Sequence, residues 1–322
     1  AFATWDAEEW GLIGSVEWVE DLADELSAKA VAYLNQDGVA SGPYFGASAA
    51  PSLKRLVREV ARVVPHPDGG TVYSHWMEST QTPDSAEVRL GNLGGGSDFA
   101  PFYNHLGIPS AGWGFGGAGG QYHGAFDTYD WMARFGDPGF RFHAATAQIT
   151  ALMALRLANA EVLPYDYVEF ATEMREVVNS LAFEAGSARL GAVGLQQLDA
   201  ALARMGEAAE AFARSRDDFL RTDVKAAGPG ADAAIHDANR HLMQVERALT
   251  RPEGLRGRPW FRNLTFASDA RNGYATIAFP GIAEAIRDRD ADRARAEAAD
   301  LAARVDVATS HLKQAAAVLR AR

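Results

Sequence analysis

Two adjacent carboxylates, Glu8 and Glu9, stand in the run Asp6-Ala7-Glu8-Glu9 behind Ala1–Trp5, a segment of Phe and Trp among small residues that reads as a buried strand. Neighbouring carboxylates are costly to hold together unless a cation or proton is shared between them. On extended backbone, adjacent side chains point to opposite sides. One can bind a metal while the other faces the substrate water, the division between ligand and general base that amide hydrolysis requires. Taken alone, such a pair also suits a solvated loop. Asp37 follows the apolar run Val31-Ala32-Tyr33-Leu34, and His123 follows the glycine-rich loop Gly116–Gly120. Both are of metal-ligand type. Singly, the aspartate of Asn35-Gln36-Asp37-Gly38 also suits a turn or helix cap, and the histidine a packing role.

The elements needed to bring these residues together alternate in type. Strands are expected at Ala1–Trp5, Val31–Leu34, Glu87–Leu90 and Ile108–Phe115. Helical spacing of apolar residues marks Gly14–Leu26, and Pro51–Val64 with Leu53, Leu56, Val57, Val60 and Val63 on one face. A Pro-, Gly- and Ser-rich loop is expected up to about Pro83, a short helix N-capped by Asp98 over Asp98–Leu106, and a long helix over Pro138–Ala160. Asp127 is expected to cap the turn Thr128–Met132. Strands alternating with helices imply an α/β domain with a mostly parallel sheet covered on both faces. Sites in such sheets lie beyond the carboxyl ends of the strands, the rim where Asp6–Glu9, Asp37 and the Gly114–Phe126 loop all fall. From about Leu163 the chain is nearly all helical, over Tyr167–Leu181, Leu195–Thr222, Asp232–Thr250 and Pro280–Leu319, with one irregular insert, Arg251–Phe279. The expected organisation is an α/β domain over 1–160 and an all-α bundle over 161–322.

Composition narrows the possible roles. The 322 residues carry a net charge of −11, and the pI is about 5.2. An acidic chain without a basic cluster is a poor partner for nucleic acid or anionic lipid. With no cysteine, disulfides and thiolate zinc sites are excluded, so any metal is held by His, Asp and Glu. No apolar run reaches the length of a membrane span, and Ala1–Gly11 has no basic n-region of a signal peptide. A chain that opens on a core strand is expected to start partway through a domain. Lack of cysteine fits cytoplasm and export alike; the expected setting is periplasmic or extracellular, with any leader upstream of Ala1.

In content and order, WDAEEWGLIGSVEWVE, AYLNQD, LGGGSDFAPF and QYHGAFDTYD resemble the catalytic domain of the glutamate carboxypeptidase II family, co-catalytic zinc peptidases related to the transferrin receptor. The resemblance continues through LPYDY, GLRGRPWFRNLTFASD and YATIAFPGI into that family's helical dimerisation domain, and covers essentially the whole chain. It implies two zinc ions, with Glu8 as general base, Glu9 and His123 sharing one zinc, Asp37 on the other, and Tyr122 donating to the oxyanion. It matches Glu17 and Glu20 to a structural calcium site, for which oxygen ligands are suited, although the same pair also suits a solvated helix face. Gly95, Gly96, Ser97 and Tyr274 match substrate-binding positions, with Asn272–Phe279 folding back over the site. The implied partners are a small peptide substrate and a second copy of the chain. An excess of apolar positions in the second half, including Phe212, Phe219, Leu220, Leu242, Met243 and Val245, also points to pairing.

Some family features are missing. The family places a His and a bridging Asp upstream of the DAEE strand, so the chain by itself is expected to be inactive although the intact protein hydrolyses peptides. The other histidines (His66, His75, His105, His143, His236, His241 and His311) match no ligand motif. Where the glutamate-selective member has arginines and a lysine, this sequence has Gly112, Gly114 and Gly273, and Ser97 replaces an Asn. The charge-assisted pairing that selects a glutamate side chain is absent, so neutral or apolar residues are the expected substrates. An aminopeptidase of the same zinc clan and a non-catalytic, receptor-like homologue are the alternatives.

Overall fold

The computed structural model describes residues 1–117, 119–221 and 229–321. Its first half centres on a three-stranded sheet of β1 (Tyr33–Asn35), β2 (Tyr44–Ala49) and β3 (Ser110–Gly116) in the order β1-β3-β2. β3 runs parallel to β1 and antiparallel to β2, so the α/β architecture holds while the sheet is mixed rather than mostly parallel. β2 escapes a sequence reading because Tyr44-Phe-Gly-Ala-Ser-Ala has almost no apolar alternation.

Two expected strands do not form. Ala1–Trp5 has no strand partner; Phe2 is fully exposed, and only Trp5 is held, by Trp18, Phe102 and a 2.9 Å bond from its indole nitrogen to the Tyr33 hydroxyl. Glu87–Leu90 forms no strand; the residue after it, Gly91, meets β2 at a single bridge to Ser48, too short for a ladder.

The helices flank the sheet. α1 (Ile13–Asp21) and α2 (Ala23–Lys29) replace one expected helix, divided at Leu22 where the backbone leaves helical angles. α3 (Pro51–Ala61) buries Leu53, Leu56, Val57 and Val60; Val63 lies beyond its end and is exposed. α4 (Val72–Ser79) stands in the expected loop, begun by a capping box between Thr71 and Ser74. Pro101–His105 forms one π-helical turn, and the Asp98 side chain caps nothing. The three-residue α5 (Tyr129–Trp131) is capped by Thr128, not Asp127: Thr128 Oγ1 accepts from the Trp131 amide at 3.2 Å. α6 (Arg141–Ala158) closes the α/β half.

The second half packs α11 (Ala291–Arg320) along α8 (Leu195–Arg221) and α9 (Pro229–Arg247), with α7 (Tyr167–Ser187) against α8. Ala294, Ala298, Ala302, Ala308 and Ala315 are buried on α11, and their small side chains permit close helix approach. α10 (Pro280–Arg287) precedes α11; the expected single helix breaks at Asp288–Asp290, where Arg289 takes a positive φ of 59°. The irregular insert contains the hairpin β4 (Phe266–Asp269) and β5 (Asn272–Ala278). Phe212, Phe219, Leu242 and Val245 are buried inside this bundle, so they are its own core rather than a spare face; Met243 is half-buried, and of that group Leu220 alone is exposed. Among the described residues no helix is long and apolar enough to cross a membrane.

One apolar core runs through both halves, from Leu53 and Ile149 to Leu198 and Leu312. Polar contacts cross the junction as well: Ser52 of α3 bonds Glu246 of α9, and Arg58 Nη2 of α3 meets Glu169 Oε2 of α7 at 2.5 Å.

Candidate functional site

The acidic pair sits in a 3-10 turn, Glu8–Trp10, anchored one residue upstream of Asp6 by Trp5. Tyr33 of β1 stacks on Phe102 with centroids 4.0 Å apart, so the aromatic cluster ties the first residues of the chain to the beginning of β1. Gly14 is required by close approach, because a Cβ there would lie 2.5 Å from the Asp6 carbonyl oxygen. Ala7 holds a left-handed conformation with φ 56°, and His123 another with φ 54°. Such backbone angles are uncommon outside glycine and concentrate at functional sites.

Folding brings most of the singled-out residues together. His123 Nε2 lies 2.9 Å from Glu9 Oε1. The rings of Tyr122 and His123 stack with centroids 3.8 Å apart. Ser97 Oγ donates to Asp37 Oδ2 at 2.8 Å and accepts from Asn35 Nδ2 at 2.8 Å. Tyr274, on β5, stands near enough to Tyr122 to affect its phenol, and its ring lies over Gly96.

The charges are coupled. Burial, then the negative charges of Asp37, Asp98 and Glu9, push the Glu8 carboxyl above its ordinary value, while His123 pulls it down. Burial, then Tyr274, Asp37 and Glu9, raise the Tyr122 phenol, which keeps it protonated and able to donate.

Asp98 and Asn35 were not marked for the site by sequence. Asp98 is buried, accepts from Ser15 Oγ at 2.5 Å, and has its carboxyl raised by burial and by Asp37. Its position after three glycines in Gly94-Gly95-Gly96-Ser97-Asp98 was the available signal, since glycine runs let backbone approach a site closely.

Of the expected calcium pair, Glu20 already has a side-chain partner. Glu20 accepts from the Trp260 indole at 2.6 Å. Among the described residues no group of three or more His, Asp or Glu is arranged to hold a metal. The donors nonetheless suit zinc in chemistry, with a carboxylate and an imidazole converging in Glu9 and His123, and a further carboxylate in Asp37. The other histidines are engaged elsewhere or exposed: His66 stacks on His75, His105 bonds the Trp260 carbonyl, His143 bonds Asp137, His241 faces His311, and His236 is exposed.

An α/β rim gathering two glutamates, an aspartate, a histidine and a tyrosine offers the side chains that a metal-dependent hydrolase uses. Residues 1–134 match Peptidase family M28, and residues 193–313 match the transferrin receptor-like dimerisation domain. The chain is 38% identical to a probable glutamate carboxypeptidase, LAMP1, of Arabidopsis thaliana, over 88% of this chain and 39% of that protein. It is 37% identical to a probable glutamate carboxypeptidase of Zea mays, VP8, with the same coverage. The aminopeptidase NAALADL1 of Rattus norvegicus is 29% identical over 99% of this chain and 44% of its own length. The chain belongs to the M28 peptidases of glutamate carboxypeptidase II type that carry a transferrin receptor-like dimerisation domain. It spans about two fifths of the length of these relatives.

Proposed function

We propose that the protein to which this chain belongs is a zinc exopeptidase acting near the C-terminus of small peptides. The observation that carries the reading is the 2.9 Å meeting of Glu9 and His123 beside Glu8, Asp37 and Tyr122. In this reading Glu9 and His123 would hold one zinc ion and Asp37 the other, and the bound ions would supply Lewis-acid activation of water and carbonyl. Glu8 takes the proton from the attacking water and passes it to the leaving amine. The Tyr122 hydroxyl donates to the oxyanion of the tetrahedral intermediate. Among the described residues the ligand sets are partial, which supports low zinc affinity and no turnover for the chain alone. A calcium ion at Glu17 and Glu20 would compete with Trp260 for Glu20 and is not needed for the reaction.

Specificity follows from what lines the wall. Gly96 lies against the Tyr274 ring and Gly95 against Ser268 and the Gly273 carbonyl, and Gly112, Gly114 and Gly273 bring no charge. Among the described residues no lysine or arginine forms an ion pair with Glu8, Glu9 or Asp37. A neutral or apolar C-terminal residue meets no unpaired charge in such a wall, whereas an acidic one lacks its cation.

The relative named as an aminopeptidase favours a second reading, removal of N-terminal residues by the same metal centre. Dipeptides with free and with blocked amino groups, given to the intact protein with zinc, separate the two. Turnover of blocked substrates supports carboxypeptidase action, turnover of free-amine substrates alone supports the aminopeptidase, and none of either removes both.

The second half supports a two-fold homodimer as the assembled form, with the helical domain supplying the contact surface.

A further inference from the structure

Lys54 of α3 is 3% exposed, an unusual place for an ammonium. Its Nζ lies 2.7 and 2.8 Å from the two carboxylate oxygens of Glu173 on α7, 2.5 Å from Asn92 Oδ1 and 3.4 Å from the Leu90 carbonyl. All three donors of the ammonium are thereby used. The Asn92 main-chain carbonyl in turn accepts from Thr276 Oγ1 on β5 at 3.1 Å.

Beyond Asn92 the loop backbone packs closely against the hairpin. A Cβ on Gly94 would lie 2.7 Å from Thr276 Cα, one on Gly95 2.7 Å from Ser268 Cβ, and one on Gly96 3.0 Å from the Tyr274 ring. The hairpin therefore rests directly on loop backbone. The next residue, Ser97, bonds Asp37.

We propose that Lys54, Glu173, Asn92 and Thr276 form a clamp of positioning residues that fixes the loop 91–97 and the Tyr274 hairpin against each other and so sets the substrate wall. The clamp couples three separated parts of the chain: α3, the bundle helix α7 and the β5 hairpin. Its link to substrate rests on the peptidase reading; its mechanical part does not. None of the four residues makes a hydrogen bond or ion pair with Glu8, Glu9 or His123, so they act through Tyr274, Gly96 and Ser97.

Hydrogen–deuterium exchange on the full chain tests the mechanical part. Lys54→Met is expected to raise exchange of the amides in 91–97 and 272–278 together by about tenfold or more, with 301–316 of α11 unchanged. Glu173→Gln, which keeps an acceptor for Lys54, serves if Lys54→Met does not fold, and should give the same pattern more weakly. Uniform loosening of the whole chain, or no change in either segment, overturns the clamp. On the intact protein, Thr276→Val is expected to raise KM for a blocked dipeptide about fivefold with kcat within about twofold, and Thr276→Ser to restore it. An unchanged KM with exchange altered removes the role in substrate binding. Absence of any turnover counts against the peptidase reading and leaves exchange to decide the clamp.

Discussion

Glu9 Oε1 and His123 Nε2 meet at 2.9 Å although nearly the whole α/β half separates them in sequence. Each is preceded by or occupies a strained backbone position, Ala7 for the acidic turn and His123 itself. Both are largely exposed, with side-chain exposures of 66% and 43%, so their direct attraction is screened and stabilises the fold little. Their value lies in the shared donor geometry.

Replacing either partner should therefore cost metal affinity more than stability. His123→Ala or Glu9→Gln in the intact protein is expected to weaken zinc binding by at least about 100-fold, read by competition with a chromophoric chelator, while the thermal midpoint of the metal-free protein stays within error. Equal zinc affinity in variant and parent would exclude these two as ligands.

Glu8 is expected to behave differently from its neighbour. Glu8→Gln should lower kcat by about 10²–10⁴-fold with bound zinc unchanged by atomic absorption. Loss of zinc together with activity would make Glu8 a ligand instead.

Glu246 gives a pH dependence of stability. It is buried and accepts from Ser52, and burial holds its carboxyl up at about 7, against a usual 4.5, with the Ser52 hydrogen bond and Arg247 pulling down. The folded chain keeps a proton that the unfolded chain releases above pH 4.5. The contribution is thus fully present below 4.5 and is lost as pH rises through 7, by about 3 kcal/mol in order of magnitude. Glu246→Gln, whose amide oxygen still accepts from Ser52, should be more stable than the parent in urea at pH 8 and equal to it at pH 4. A parent-to-variant difference that does not change with pH would refute the assignment.

Asp166 ties the two halves at one helix start. Its Oδ1 accepts from the amides of Val168 and Glu169 at 3.0 and 2.9 Å, and its own amide donates to the Ser52 carbonyl at 2.9 Å. Asp166→Ala removes the cap of α7 and should destabilise by about 1 kcal/mol, whereas Asp166→Asn should cost less. Chemical denaturation followed by circular dichroism measures both.

Sedimentation equilibrium should report a dimer at micromolar concentration. Exposed Phe183 and Val307 are apolar positions of the helical half left without cover in the single chain. A monomer throughout the accessible range would count against the homodimer.

Much of this was legible in the sequence. Glu8, Glu9, Asp37, Tyr122 and His123 could be singled out because carboxylate, imidazole and phenol chemistry follows from residue type, and because their order along the chain matches a known arrangement. The long helices were legible for a similar reason: the 3.6-residue recurrence of apolar side chains in α8 and α11 is a local property. Short elements were not. β2 has no alternation to read, Ala1–Trp5 looks like a strand yet has no partner to pair with, and α4 depends on a two-residue cap inside a turn-rich stretch.

Residue identity and order alone determined which carboxylate, imidazole and phenol side chains the chain offers and its division into an α/β part followed by helices. Only the tertiary structure decided that Asp98 and Asn35 belong beside Asp37, that Trp260 occupies Glu20, that Phe212 and Leu242 are spent on an internal core, and that Lys54 reaches Glu173 and Asn92 at once. Chemistry and helical periodicity are carried by single residues and their near neighbours. Burial and pairing are set by which distant segments the closed chain brings within a few ångströms.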